Sequence, residues 1–245
     1  MRAAARIRVE RRHGRDEVVD RTAEPPFAVR RCGDRIMLAA TAASPVGGDE
    51  LELDVVIGSE ATASIGSIGA MLVWPAPTPA VSSMTTTVAV GAGGRLVLAP
   101  EPTITVRGSN HRATTRVDLA EEATCELVEE YSLGRSGEAP GTIETSLRVE
   151  RGGRALFHHD ELLGALAEAG STSVGVGTAR HVTTALIVGE VAGDAATSVE
   201  AGGMAARLPV DDDAVVLLGV GIDRPTVRRL IDALRSTVAP PVRYG

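Results

Sequence analysis

Between Gly47 and Ile57 the chain reads Gly-Gly-Asp-Glu-Leu-Glu-Leu-Asp-Val-Val-Ile, a tight turn leading into an alternating run. Strand side chains point to opposite faces in turn, so Leu51, Leu53, Val55 and Ile57 share one face and Glu50, Glu52 and Asp54 the other. A row of carboxylates backed by an apolar floor is most simply the wet side of a half-buried antiparallel strand. Runs of Val, Thr and Ile with the same period recur from end to end, separated by Gly, Pro, Asn or Asp. Thirteen such segments are expected as strands: Arg6 to Glu10, Arg35 to Thr41, Leu51 to Ile57, Ala61 to Ile65, Thr85 to Val90, Arg95 to Ala99, Thr103 to Arg107, Thr114 to Leu119, Thr124 to Tyr131, Thr142 to Glu150, Arg154 to His158, Val182 to Val188 and Ala214 to Val220. Short spacing without helical crossovers predicts an all-β fold with a mainly antiparallel sheet.

Helix is the minority. Asp223 is placed to cap a helix whose first turn holds Pro225, and Val227, Leu230, Ile231 and Leu234 then recur at helical spacing. Arg228, Arg229 and Arg235 lie off that stripe, which is expected to dock on the sheet. A weaker helix is predicted over Asp160 to Ala169, interrupted by Gly164, and the Pro240-Pro241 tail from Ala239 reads as extended. No repeat or low-complexity linker divides the chain, so residues 1–245 are expected to form a single domain.

With 245 residues, 44% of them hydrophobic, the chain can bury a real core, and aromatic residues make up only 2% of it. That scarcity argues against sugar-binding and single-stranded nucleic-acid grooves, which use aromatic platforms. The net charge of −7 has the wrong sign for a nucleic-acid binder and favours a cationic partner. Every basic residue is Arg; without Lys there is no Walker-A loop, Schiff-base lysine or lysine general base. Cys32 and Cys125 are far apart and read as two buried thiols rather than a zinc or redox motif. The amino terminus lacks a signal-peptide apolar region and no run reaches the ~20 apolar residues of a spanning helix, so a cytoplasmic protein with no membrane association is expected.

Enzyme templates are missing too: there is no Gly-x-Ser-x-Gly, no His-Glu-x-x-His and no dinucleotide fingerprint in a strand-turn-helix setting. His158 and His159, if on a strand, point to opposite faces and cannot chelate one ion together. Two patterns look constrained beyond the needs of a strand. Pro100-Glu101-Pro102 fixes the direction of an acid between two rigid residues, and Glu130-Tyr131-Ser132-Leu133-Gly134-Arg135-Ser136-Gly137-Glu138 sets two acids around an Arg able to hold either one bidentately.

Taken in order, these pieces resemble the UreD (UreH) family of urease accessory proteins. The matching stretches are Gly47-Gly48-Asp49 with Leu51-x-Leu53-Asp54-Val55, Pro100-Glu101-Pro102-Thr103-Ile104 with Gly108-Ser109, Glu130 with Leu133-Gly134-Arg135 and Gly137-Glu138, Leu147-Arg148-Val149, and Asp160. The resemblance implies an extended, mostly β structure with a few short helices. It also implies a non-enzymatic scaffold that joins UreF and UreG, binds apo-urease subunits and passes nickel transiently along an internal water-filled path, with no tightly bound cofactor. On the family's motif positions, Asp49, Asp54, Glu101, Glu130 and Glu138 are the expected metal path or its supports. Ser64 to Met71 departs from the family's polar run. Two other classes stay open on residues alone, a carboxylate-dependent hydrolase and a β-rich small-ligand module. The free scaffold is also expected to self-associate through apolar docking surface.

Overall fold

The computed structural model describes residues 1–165, 179–189 and 193–235. Among these the chain forms two facing sheets and one helix. The first sheet holds β1 (Arg2–Arg12), β2 (Arg15–Ala23), β5 (Glu50–Ile57), β8 (Ser82–Val90), β11 (Asn110–Leu119), β13 (Thr142–Arg151) and β14 (Arg154–Gly164), in the order β14-β13-β11-β8-β5-β1-β2. The second is built on the path β16-β17-β18-β15-β12-β9-β6-β4-β3. Its strands are β3 (Phe27–Cys32), β4 (Arg35–Ala40), β6 (Thr62–Ser67), β9 (Arg95–Leu98), β12 (Thr124–Leu133), β15 (His181–Val188), β16 (Ala196–Glu200), β17 (Gly203–Asp211) and β18 (Ala214–Gly221). Two short strands lie off that path: β10 (Thr103–Thr105) pairs with β12 and with β7 (Met71–Val73).

The all-β expectation holds, but the sheets are mixed rather than mainly antiparallel. Neighbours β1, β5, β8, β11 and β13 run parallel, as do β4, β6, β9 and β12, while antiparallel pairs flank both stacks. Parallel neighbours need a crossover, usually a helix. Here a strand in the opposite sheet makes it: from β5 the chain passes to β6, β8, β9, β11, β12 and β13, changing sheet repeatedly in a solenoid-like coil. Short connections therefore do not signal hairpins in this chain.

Register explains the side-chain pattern. On the outer face of the first sheet, Arg2, Glu50, Ser83, Arg112 and Glu144 lie side by side in one row. Between the sheets the rows grade in polarity. Val9, Ile57, Val90 and Leu119 form one row and Ile7, Val55, Val88, Val117 and Val149 the next, all buried in the main core. Then come Leu53, Thr86, Thr115 and Leu147, then Leu51, Met84, Ala113 and Thr145, and finally Ser82, His111 and Ile143. The interior thus passes from a dry end to a polar one. Cys125 lies in the main core as expected, but Cys32 is exposed, because it ends the edge strand β3.

Helix α1 (Arg224–Arg235) is the only α-helix longer than one turn among the described residues. It begins where expected: Asp223 accepts the Thr226 backbone N–H at 2.8 Å. The predicted stripe, Val227, Leu230, Ile231 and Leu234, is buried against Ala185, Ala205, Val215 and Leu217 on the far face of the second sheet. The helix expected over 160 to 169 is replaced up to Gly164 by β14, which pairs with β13 from Arg154 to Gly164. Gly164 has φ +87, and a side chain there would run into the Gly141 carbonyl. The remainder of that segment beyond Ala165, and the tail from Ala239, lie outside the described residues.

Candidate functional site

At the polar end, the two sheets enclose a cavity of about 170 Å³. Leu51, Leu53, Met84 and Thr115 line it from the first sheet, and Leu127, Glu129 and Tyr131 from the second. Glu129 is turned to this interior rather than to bulk water. Its carboxylate accepts from the Thr115 hydroxyl at 2.6 Å and from Tyr131, yet burial outweighs both bonds and pushes the carboxyl above its ordinary range. Burial likewise raises Tyr131. On edge strand β14, His158 is exposed and pairs with Asp160, while His159 points inward to Glu161, 3.3 Å away, which raises its imidazole pKa. The two histidines do point to opposite faces.

A second polar cluster lies on the helix side of the same sheet. Glu130, the neighbour of Glu129 on β12, projects from the opposite face and is buried, its side chain 4% exposed. Arg224, in the first turn of α1, donates from Nε to Glu130 Oε2 at 2.6 Å and from Nη1 to Glu101 Oε2 at 2.6 Å. Arg228, one turn on, donates to Glu130 Oε1 at 3.3 Å. The hydrogen bond and charge of Arg224 hold Glu101 below the usual carboxylate range despite partial burial. His181 lies within electrostatic reach of Glu130, Arg224 and Arg228. Ser132 holds its Nδ1 at 3.0 Å, whereas Nε2 is buried without a partner. Burial depresses this imidazole to about 4, so it is neutral at physiological pH.

Of the five carboxylates singled out from sequence, the structure brings together two, Glu101 and Glu130. Asp49 sits in its turn, accepting from the Met1 ammonium at 2.5 Å, the Val46 N–H at 2.8 Å and the Ser44 hydroxyl at 3.1 Å. Burial pushes its carboxyl up, but these bonds prevail and leave it lowered. Asp54 faces outward and pairs with Arg6 at 2.9 Å. Glu138 is gripped by both guanidinium arms of Arg135, and that hydrogen bonding brings it down to about 2. Arg135 thus holds Glu138 and not Glu130, because Gly134, at φ +85, folds the turn back until the Glu138 carbonyl is too near for a side chain at 134. Among the described residues no three His, Cys, Asp or Glu side chains converge as a metal cage.

Sequence reasoning missed Glu129, His181 and Arg224. The acidic pair Glu129-Glu130 falls in a strand where one member must face inward, and that alternation was the available signal. Nothing in the sequence ties Arg224 to acids 94 and 123 residues away.

The family model described as UreD urease accessory protein matches residues 1–243. The chain belongs to the UreD family. Among curated relatives, the urease accessory protein UreD of Parafrankia sp. (strain EAN1pec) is 29% identical over 100% of this chain and 93% of its own. The protein named UreD 3 from Streptomyces griseus subsp. griseus is 31% identical, covering 95% of each chain. UreD of Frankia alni is 32% identical over 81% of this chain and 72% of its own. Glu101 and Glu130, two of the five acids expected from sequence, are the two that meet beneath α1. No helix among the described residues is long and apolar enough to cross a membrane.

Proposed function

We propose that this chain is a non-enzymatic scaffold in urease maturation. It binds UreF, UreG and apo-urease in the cytoplasm and passes nickel as cargo along oxygen-rich side chains. The family match over residues 1–243 carries this reading. The donor set supports it: carboxylates and hydroxyls exchange a borderline cation readily, whereas a thiolate cage would retain it. Glu129 inside the cavity and Glu130 with Glu101 under the helix offer such donors on both faces of one strand. A carboxylate hydrolase needs one protonated acid beside an ionised one, and the hydrogen bond and charge of Arg224 favour the ionised form of Glu101. Exposed Val199, Met204 and Ile222 near β16 and β17 support self-association of the free chain.

The test is co-expression with UreF and UreG homologues, purification, and assay of nickel-dependent urease activation. A stable complex that activates apo-urease is expected. Failure to retain UreF would sink the reading.

A further inference from the structure

The two sheets pack closely at one end of the interior and stand apart at the other. On the central strands Val88 and Val117 are buried, whereas Met84, Thr86 and Ala113, which face inward earlier on the same strands, are only half-buried. All three border the cavity of about 170 Å³, so the uncovered surface is its wall. The exposed lining residues Ala40 and Gly69 place its opening between the end of β4 and the bend after β6.

Most of that wall is apolar, with Leu51, Leu53 and Met84 on one side and Phe27, Leu38 and Leu127 on the other. An apolar protein cavity of about 150 Å³ stays dry and takes up a benzene ring. The space is therefore ring-sized, and water finds few partners along such side chains. Glu129 breaks the pattern: it lies deep in the protein yet is only half-covered by its neighbours, because it borders the cavity. Thr115 and Tyr131 spend their hydroxyl protons on it. A carboxylate has about four acceptor sites, so two bonds leave it able to accept another. Burial outweighs the bonds that Glu129 has, and a further donor offsets part of that cost.

We propose that this cavity is a binding site for a small neutral aromatic molecule bearing one hydroxyl or N–H donor, with its ring between the apolar walls and its donor on Glu129. An anion of the same size is repelled by the Glu129 carboxylate at low dielectric. The inference goes beyond the cation-delivery reading and does not depend on it.

The experiment is thermal melting and calorimetric titration of the full chain, without partners or metal, using phenol, toluene and benzoate. Toluene keeps the ring and lacks the donor; benzoate carries a charge. Phenol should raise the melting temperature in a saturable way and bind about tenfold more tightly than toluene. Benzoate should leave the melting temperature unchanged. Ala113→Leu, which fills the cavity, should abolish binding of both neutral ligands, and Leu53→Phe fills the same space if Ala113→Leu does not fold. Glu129→Leu should retain toluene binding and lose the preference for phenol. Absence of saturable phenol binding, equal affinity for phenol and toluene in wild type, or binding that a filled cavity leaves intact would overturn the proposal. A phenol preference that survives Glu129→Leu would overturn it as well. None of these results bears on retention of UreF, so this inference and the delivery reading fail separately.

Discussion

The outer face of the first sheet and the helix-covered face of the second both carry carboxylates paired with arginine, yet the two settings differ in kind. On the outer face Asp54 meets Arg6 in water, with both side chains at least one-third exposed. Beneath α1, Glu130 is 4% exposed and meets the mostly buried Arg224, with Arg228, itself 55% exposed, reaching in from the surface. A surface pair gains little, because solvent screens it and two long side chains lose freedom in forming it. A buried pair is worth little against an apolar replacement, but losing one member strands the other. The same two residue types therefore act as surface decoration in one sheet and as an interdependent unit in the other.

The largest expected effect comes from breaking the buried unit. Glu130→Ala leaves Arg224 and Arg228 short of a counter-charge and should cost about 3 kcal/mol in urea unfolding, the low end for a buried pair because Arg224 keeps Glu101. A loss below 1 kcal/mol would show that the two faces do not differ. Acid should weaken the buried polar groups in a comparable way. Burial depresses His111 from 6.5 to about 4, so its contribution is complete above pH 6.5 and is lost as the pH falls towards 4. That window is worth about 3 kcal/mol at most for each such group; buried His181, depressed to about 4 as well, shares it, so His111→Gln should make the profile shallower across it and leave the His181 part. Glu129 has the opposite sign. Its carboxyl is raised, so wild-type stability falls as the pH rises past the ordinary carboxylate range, and Glu129→Gln should remove that fall without altering the acid limb assigned to His111.

Smaller effects mark the edges of the comparison. A Cβ on Gly219 would lie 2.7 Å from Val227 Cγ1, so Gly219→Ala should lift α1 from the sheet and cost about 1–3 kcal/mol by overpacking. Melting followed by circular dichroism should register it. Asp54→Asn, on the open face, should change stability by less than about 1 kcal/mol. A larger loss would mean that the lateral rows of charge on the first sheet act cooperatively.

Much of this was legible in the chain. The alternation of Leu51, Leu53, Val55 and Ile57 placed β5 and its wet face correctly, and Asp223, Pro225 and the stripe from Val227 to Leu234 located α1. Strands β2 and β16 were missed because Arg-Asp-Glu-Val-Val-Asp-Arg-Thr-Ala and Ala-Thr-Ser-Val-Glu lack a clear apolar face, and β17 carries Pro209. Strand direction was misread because it is not a local property: the crossover that makes β5 and β8 parallel lies in the opposite sheet. At the site, Glu101 and Glu130 stood out as motif residues. Their union was invisible, because it is made by Arg224 from the far end of the chain.

The measurement closest to the centre of this account is the nickel content of apo-urease matured with purified UreF and UreG and with either Glu101→Gln or Asp54→Asn in this chain. Both variants are expected to retain the complex. Glu101→Gln should lower nickel incorporation while Asp54→Asn leaves it at the wild-type level; equal incorporation by both variants, or a loss confined to Asp54→Asn, would contradict the assignment of the helix-covered carboxylates to the cation path.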